Sequence, residues 1–323
     1  MKTPTLEVYL TPAESVDALR AEAREGLTAT PKWLSPKWFY DARGSELFEE
    51  ITALPEYYPT RTERGLLARY ADEIAAFTDP EILIELGSGS SEKTRLLLDA
   101  MTARGTLRTY VPQDVSVTAL EGAARQVGAE FPGIDVVGVV SDFTGSLHHL
   151  PGGGRRAVAF LGGTLGNLVP AERAEFLSGI AAVLDPGENL ILGVGLVIDP
   201  AVLVPAYDDA AGVTAQFNLN VLSVLNKQLG ANFPLEDFRH VALWDAENEW
   251  IEMRLEALRE VSVHIDDLDL EITFAAGEQL RTEISAKFTE EGIAAELASA
   301  GFGVRKVWTD QDQRFALLCA QRA

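Results

Sequence analysis

Two glycine-rich turns hold the residues best placed to do chemistry. The first lies in Glu81-Ile82-Leu83-Ile84-Glu85-Leu86-Gly87-Ser88-Gly89-Ser90-Ser91-Glu92-Lys93-Thr94. Its apolar run reads as a buried strand ending in Glu85, then a glycine turn, then a helix opening at Ser90 or Ser91. In α/β sheets, ligands bind outside the carboxyl ends of strands, which is where this turn falls. Gly87 and Gly89 let the backbone pass close to a ligand with no Cβ in the way. The second turn, Gly162-Gly163-Thr164-Leu165-Gly166-Asn167, follows another apolar strand. Two acids also stand at strand ends. Asp114 closes a strand over Thr109 to Pro112, the place from which an acid commonly takes ribose hydroxyls. Asp142, followed by Phe143, could bond an adenine amino group and cover its ring. Farther on, Glu283 and Ser285 share one face if their segment is extended.

The first turn lacks the third glycine of a G-x-G-x-x-G dinucleotide fingerprint, and the chain has no G-x-x-x-x-G-K-[ST] phosphate loop. E-L-G-S-G at a strand end is the form used by S-adenosylmethionine-dependent methyltransferases, whose cofactor has no pyrophosphate. Alone, the turn reads equally well as an ordinary strand-to-helix connection.

The elements that must position these residues alternate. Strands are expected near 82–86, 109–114, 134–140, 155–161 and 188–193, with helices over 94–104, 120–131 and 171–184. That order argues a parallel sheet with helices on both faces. The pattern then changes. Residues 200–229 read as one long helix with Tyr207, Thr214, Phe217, Val221 and Leu225 near one face. Trp250 to Glu256 and Val261 to Phe274 alternate with period two, so an antiparallel hairpin or small sheet is expected. The end returns to a helix over 289–300 and two strands. Residues 197–287 therefore read as an insertion after strand five. With residues 1–60 they are expected to form a second domain, leaving 61–196 and 288–323 as the first. On their own, Tyr207 and Phe217 read as a core stripe, Glu283 as a solvated strand acid and Met253 as core filler.

Composition narrows the function. The formal charge of −22 over 323 residues repels phosphate backbones, so no nucleic-acid partner is expected. The single cysteine, Cys319, excludes an internal disulfide and falls in an apolar final strand. No apolar run approaches the ~18 residues of a membrane span, and no secretory region is seen at the N-terminus. A cytoplasmic monomer without membrane contact is expected. The four histidines show no metal-ligand spacing, so no metal is expected.

Several segments together resemble one family. They are Thr28-Ala29-Thr30-Pro31-Lys32, Pro36-Lys37-Trp38-Phe39-Tyr40-Asp41, Leu54-Pro55-Glu56-Tyr57-Tyr58-Pro59-Thr60-Arg61-Thr62-Glu63, Glu85-Leu86-Gly87-Ser88-Gly89, Ser91-Glu92-Lys93-Thr94-Arg95, Gly166-Asn167-Leu168 and the run from Ala206 to Thr214. The chain is similar over nearly its whole length to the histidine-specific Nα-methyltransferases of ergothioneine biosynthesis. The same superfamily includes fungal tryptophan methyltransferases. The resemblance implies a Rossmann-like class I methyltransferase with a second, α+β substrate-binding domain made from the N-terminal segment and the insertion.

It also implies roles. For S-adenosylmethionine the matching positions are Tyr40, Gly87, Lys93, Asp114, Asp142 and Phe143. For the carboxylate of L-histidine they are Tyr57, Asn167 and Tyr207, a set that can hold an acid without a cation. For the imidazole they are Glu283 and Ser285, with Met253 and Phe217 nearby, and Gly162 lines the junction of the two ligands. A carboxylate accepts from the ring N–H, and a hydroxyl can donate to the other nitrogen. A sulfonium methyl needs no metal or covalent nucleophile. It needs a neutral amine in line, and positioning of this kind can lower a barrier by ~7–11 kcal/mol. Tyr40 or a water is the candidate to receive the amine proton. Three transfers would give hercynine. Gly163, Gly195 and Ile198 depart from the residues the family often has there, which bears on substrate preference and rate. The alternatives are an N-methyltransferase for another amino acid such as tryptophan, and a non-catalytic homologue that binds the cofactor or amino acid.

Overall fold

The computed structural model describes residues 4–145 and 147–323. In chain order its strands are β1 (Thr5–Val8), β2 (Ile82–Leu86), β3 (Thr109–Asp114), β4 (Asp135–Val140), β5 (Arg156–Phe160), β6 (Asn189–Gly195), β7 (Phe238–Asp245), β8 (Trp250–Ala257), β9 (Val261–Ile265), β10 (Leu270–Phe274), β11 (Gln279–Ala286), β12 (Phe302–Thr309) and β13 (Phe315–Arg322). The chain divides into two compact units. One holds the described residues up to Thr11, Arg61–Leu196 and Phe288–Ala323; the other holds Pro12–Thr60 and Val197–Lys287.

The first unit is built on an eight-stranded sheet in the order β1-β4-β3-β2-β5-β6-β13-β12. The pairs from β1 to β6 are parallel, and β13 and β12 close the sheet antiparallel. β2, β5 and β6 are buried at every residue, as expected of strands covered on both faces. The chain runs outward from β2 through β3 and β4, then returns to β5 on the other side of β2. This reversal places the topological switch at the carboxyl ends of β2 and β5, where crevices form in such sheets. Leu86 and Phe160 are register partners, so both glycine turns leave the sheet side by side. Cys319 is wholly buried in β13, and burial pushes its thiol up to about 12, as suits a core residue.

One boundary differs from the expected 1–60. β1 pairs in parallel with β4 and belongs to the first unit. It is an edge strand whose residues are largely exposed, so it carries no apolar pattern to read. Its anchor is Leu6, which fills the space that Gly138 leaves: a Cβ there would lie 2.8 Å from Leu6 Cδ1.

The second unit packs the helix Val213–Leu229 on a three-stranded antiparallel sheet, β11-β8-β7, with the β9–β10 hairpin beside it. Phe217, Val221 and Leu225 from the helix meet Ile251, Met253, Leu255 and Leu280 from the sheet in one apolar core. The single helix expected over 200–229 is broken. A helical turn at Pro200–Leu203 and a 3₁₀ turn at Val204–Ala206 come first, and the long helix begins only at Val213. The break is held by Asp209, whose carboxylate accepts the N–H groups of Val213 at 3.0 Å and Thr214 at 2.7 Å. Gly212 sits just before them at φ +72°, a backbone that glycine adopts without strain. Tyr207 therefore stands in the connection and not on a helix face.

Candidate functional site

In the first unit the residues converge on the two turns. Gly87 and Gly89 take φ +66° and +50°, and Ser91 takes φ +55°. The helix consequently opens at Arg95, four residues after Ser91, instead of at Ser90 or Ser91. Glu85 explains the delay. Its buried carboxylate accepts hydrogen bonds from the Thr94 and Tyr110 hydroxyls, and Tyr110 in turn lies 2.8 Å from Ser91 Oγ. Burial pushes the Glu85 carboxyl up to about 7, against the pull of those hydroxyls and of Lys93.

Asp114 reaches the first turn from the end of β3. Its Oδ2 accepts the Gly89 N–H at 2.9 Å and its Oδ1 the Ser116 N–H at 2.9 Å. Burial raises this carboxyl, with those N–H bonds opposing. Phe143 stands edge-on to Phe160 and Phe176, and a Cβ on Gly87 would lie 3.5 Å from its ring. Asp142 closes a turn, accepting from the Thr144 N–H at 2.8 Å and hydroxyl at 2.6 Å. The turn suits a small ligand: Ser88 Oγ is buried with no hydrogen-bond partner among the described residues, and Gly89 faces open space.

Lys93 is held by a residue that the sequence reading did not single out. Glu63, fully buried, pairs with the Lys93 ammonium through Oε2 and accepts the Gly162 N–H at 2.7 Å through Oε1. One carboxylate thus ties the segment after the first turn to the start of the second. Gly193 on β6 makes room for it, since a Cβ there would lie 2.1 Å from Oε1. Asn167 ends the 3₁₀ turn Thr164–Asn167 that follows Gly163.

The second unit gathers Tyr40, Tyr57, Tyr207, Phe217, Met253, Glu283 and Ser285. The Tyr57 and Tyr207 rings meet edge-on at 6.1 Å, and Tyr40 meets Phe217 edge-on at 5.5 Å. Met253 on β8 is the register partner of Glu283 on β11. Tyr207 and Ser285 share a hydrogen bond at 2.8 Å. Burial, followed by the negative charge of Glu283, raises the Tyr207 hydroxyl; burial, then Tyr207, Tyr40 and Glu283, raises that of Tyr57. The Tyr207 backbone is fixed as well: its carbonyl lies 2.8 Å from His240 Nε2, while His240 Nδ1 meets the buried Asn218 amide at 2.8 Å. Lys287 was also missed. It is buried and donates to the Tyr207 hydroxyl at 2.8 Å and to Ser285 Oγ at 2.7 Å. Period two carried one step past Glu283 and Ser285 would have found it. Of the departing positions, Gly163 precedes the 3₁₀ turn, Gly195 ends β6 and Ile198 packs on the second unit's core.

Among the described residues, no cluster of histidine, cysteine or acidic side chains could hold a metal ion, and no helix is long and apolar enough to cross a membrane.

Comparison with known proteins adds the family. The profile of a family described as histidine-specific methyltransferase, SAM-dependent, matches residues 19–322. A histidine N-alpha-methyltransferase of Mycolicibacterium smegmatis is 52% identical over 99% of this chain and 100% of its own. That of Mycobacterium tuberculosis is 49% identical over 94% of this chain and 95% of its own. Among solved structures, the PH0226 protein from Pyrococcus horikoshii OT3 shares the fold with a TM-score of 0.50 at 14% identity, covering 88% of this chain and 100% of that one.

Proposed function

Because the chain belongs to the family of histidine-specific, S-adenosylmethionine-dependent methyltransferases, we propose that it trimethylates the α-amino group of L-histidine, giving hercynine for ergothioneine biosynthesis. The observation that carries this reading is the cluster in the second unit. Two tyrosine hydroxyls, a serine hydroxyl and a carboxylate from three separate segments come together there, with Glu283 acting on both tyrosines. An imidazole has one N–H, which a carboxylate accepts, and an α-carboxylate takes hydroxyl donors. In this reading Tyr57, Tyr207 and Asn167 bind the substrate carboxylate. Glu283 and Ser285 address the ring beside Met253 and Phe217, and Gly162 lies where the two ligands meet.

Tyr40, Gly87, Lys93, Asp114, Asp142 and Phe143 hold S-adenosylmethionine. When bound, it supplies a methyl group already activated by its sulfonium. The protein's own work is to orient: the carboxylate and ring contacts leave the nitrogen free to turn between transfers. The protein acts as a monomer in the cytoplasm. It encloses no metal in this reading, since the transfer calls for none.

The test is mass spectrometry of reactions on a panel of amino acids with S-adenosylmethionine. Histidine is expected to gain three methyl groups, and Glu283→Ala is expected to lower its kcat/KM by ~10–150-fold, the value of a hydrogen bond to a charged group. Faster turnover of tryptophan or tyrosine, or binding of histidine without turnover, would defeat the assignment.

A further inference from the structure

Lys287 is a buried ammonium whose hydrogen bonds run to two hydroxyls, those of Tyr207 and Ser285. Its Nζ also lies 4.9 Å from the centre of the Tyr207 ring. An ammonium has three protons and no acceptor, so both oxygens receive from it. Tyr207 and Ser285 also bond to each other, at 2.8 Å, which uses one of their two hydroxyl protons. One hydroxyl proton therefore remains to point outward from the triangle. Tyr207→carboxylate and Ser285→imidazole bonds cannot both form while the triangle is intact. A phenol is the more acidic hydroxyl and so the better donor, and the ammonium behind it strengthens it further.

We infer that Lys287 is a positioning residue: its ammonium, with Ser285 donating to Tyr207, holds the Tyr207 hydroxyl as the donor to the substrate's carboxylate and places a positive charge behind it. The inference rests on the assignment of Tyr207 to the amino-acid carboxylate proposed above. It changes the expected carboxylate site, which had no cation, and turns Ser285 from a ring contact into a support of Tyr207. The groups facing Lys287 agree with it. Burial pulls its ammonium down, and Tyr58 and Glu283 act against that, so an anion at Tyr207 would relieve a charge whose hydrogen-bond partners among the described residues are two hydroxyls.

The experiment compares L-histidine with L-histidinamide, which keeps ring and amine but carries no carboxylate, on the parent, Lys287→Met, Tyr207→Phe and the double variant. The full chain is used, with S-adenosylhomocysteine present for binding. In Lys287→Met the histidine KM and Kd are expected to rise ~10–150-fold, the range of a hydrogen bond to a charged group, while kcat falls less than about threefold. The Kd of histidinamide is expected to stay within about threefold, and S-adenosylhomocysteine affinity to be unchanged. In the Tyr207→Phe background, Lys287→Met is expected to add less than about threefold, because the relay is already cut. Equal weakening of both ligands, an unchanged histidine KM, or multiplying effects would each overturn the inference. Where the lysine variant does not fold, Tyr207→Phe alone decides: keeping the parent's preference for histidine over its amide refutes the relay. A parent that does not take up histidine overturns the assignment beneath the inference, not the hydrogen-bond triangle.

Discussion

Glu63→Gln is the perturbation that asks most of the first unit. The Glu63 carboxylate is fully buried, pairs with Lys93 and accepts the Gly162 N–H at 2.7 Å. Glutamine keeps the shape, and its carbonyl can still take the Gly162 proton. Its NH₂ would then face the Lys93 ammonium, donor against donor. Removing one partner of a buried pair costs about 3–5 kcal/mol when the other charge stays buried. Lys93 is 25% exposed and can turn toward water, so a loss of about 2–3 kcal/mol in stability is expected. If Lys93 serves the cofactor as proposed above, freeing it from Glu63 also costs it its aim. If half of that energy is felt there, S-adenosylhomocysteine binds ~10-fold more weakly, at 1.4 kcal/mol per tenfold. Denaturation midpoints and calorimetric titration of S-adenosylhomocysteine measure both. Lys93→Met on top of Glu63→Gln should add little, since the two act as one unit. A Glu63→Gln protein within about 0.5 kcal/mol of the parent and with unchanged cofactor affinity would refute the reasoning.

Two further outcomes are expected. Burial holds the Glu85 carboxyl at about 7 against an ordinary 4.5, so the folded state binds more protons than the unfolded one between those values. The stability this group contributes is full below about 4.5 and is lost as pH rises through about 7, a swing of about 3 kcal/mol at ~1.4 kcal/mol per pH unit. Glu85→Gln should flatten that part of the stability–pH curve relative to the parent, and matching slopes would count against it. Asp209→Ala removes the acceptor for two N–H groups at the start of the helix Val213–Leu229 and should lower stability by about 1–2 kcal/mol. Tyr207 lies in the connection that Asp209 holds, so histidine KM should rise in the same variant. A stable Asp209→Ala protein with parent kinetics would show that the break is held elsewhere.

Local sequence carries most of the first unit. β2, β5 and β6 are buried on both faces, so apart from Glu85, Arg156 and Asn189 they read as apolar runs, and the glycine turns that follow β2 and β5 mark the ligand side. Asp114 ends β3 and Phe143 follows the end of β4 by three residues, so their positions follow from the strands. In the second unit the alternation from Trp250 made that strand legible, and the segment of Glu283 and Ser285 is extended, as their shared face required. The edge strands β1 and β7 were not legible. β1 is largely exposed and β7 is half-buried along nearly its whole length, so neither has a buried face to set a period of two.

What the chain order could not decide is which distant groups share a hydrogen bond. Glu63, Lys93 and Gly162 lie on three segments that meet only because β5 returns to the far side of β2. Lys287, Tyr207 and Ser285 meet only because the helix expected over 200–229 breaks at Asp209 and leaves Tyr207 in a connection. Apolar periodicity records which face of an element is buried. It does not record which buried charge answers which, because a single acid or lysine leaves no period. Those pairings exist only once the elements have closed and the desolvated groups must find partners.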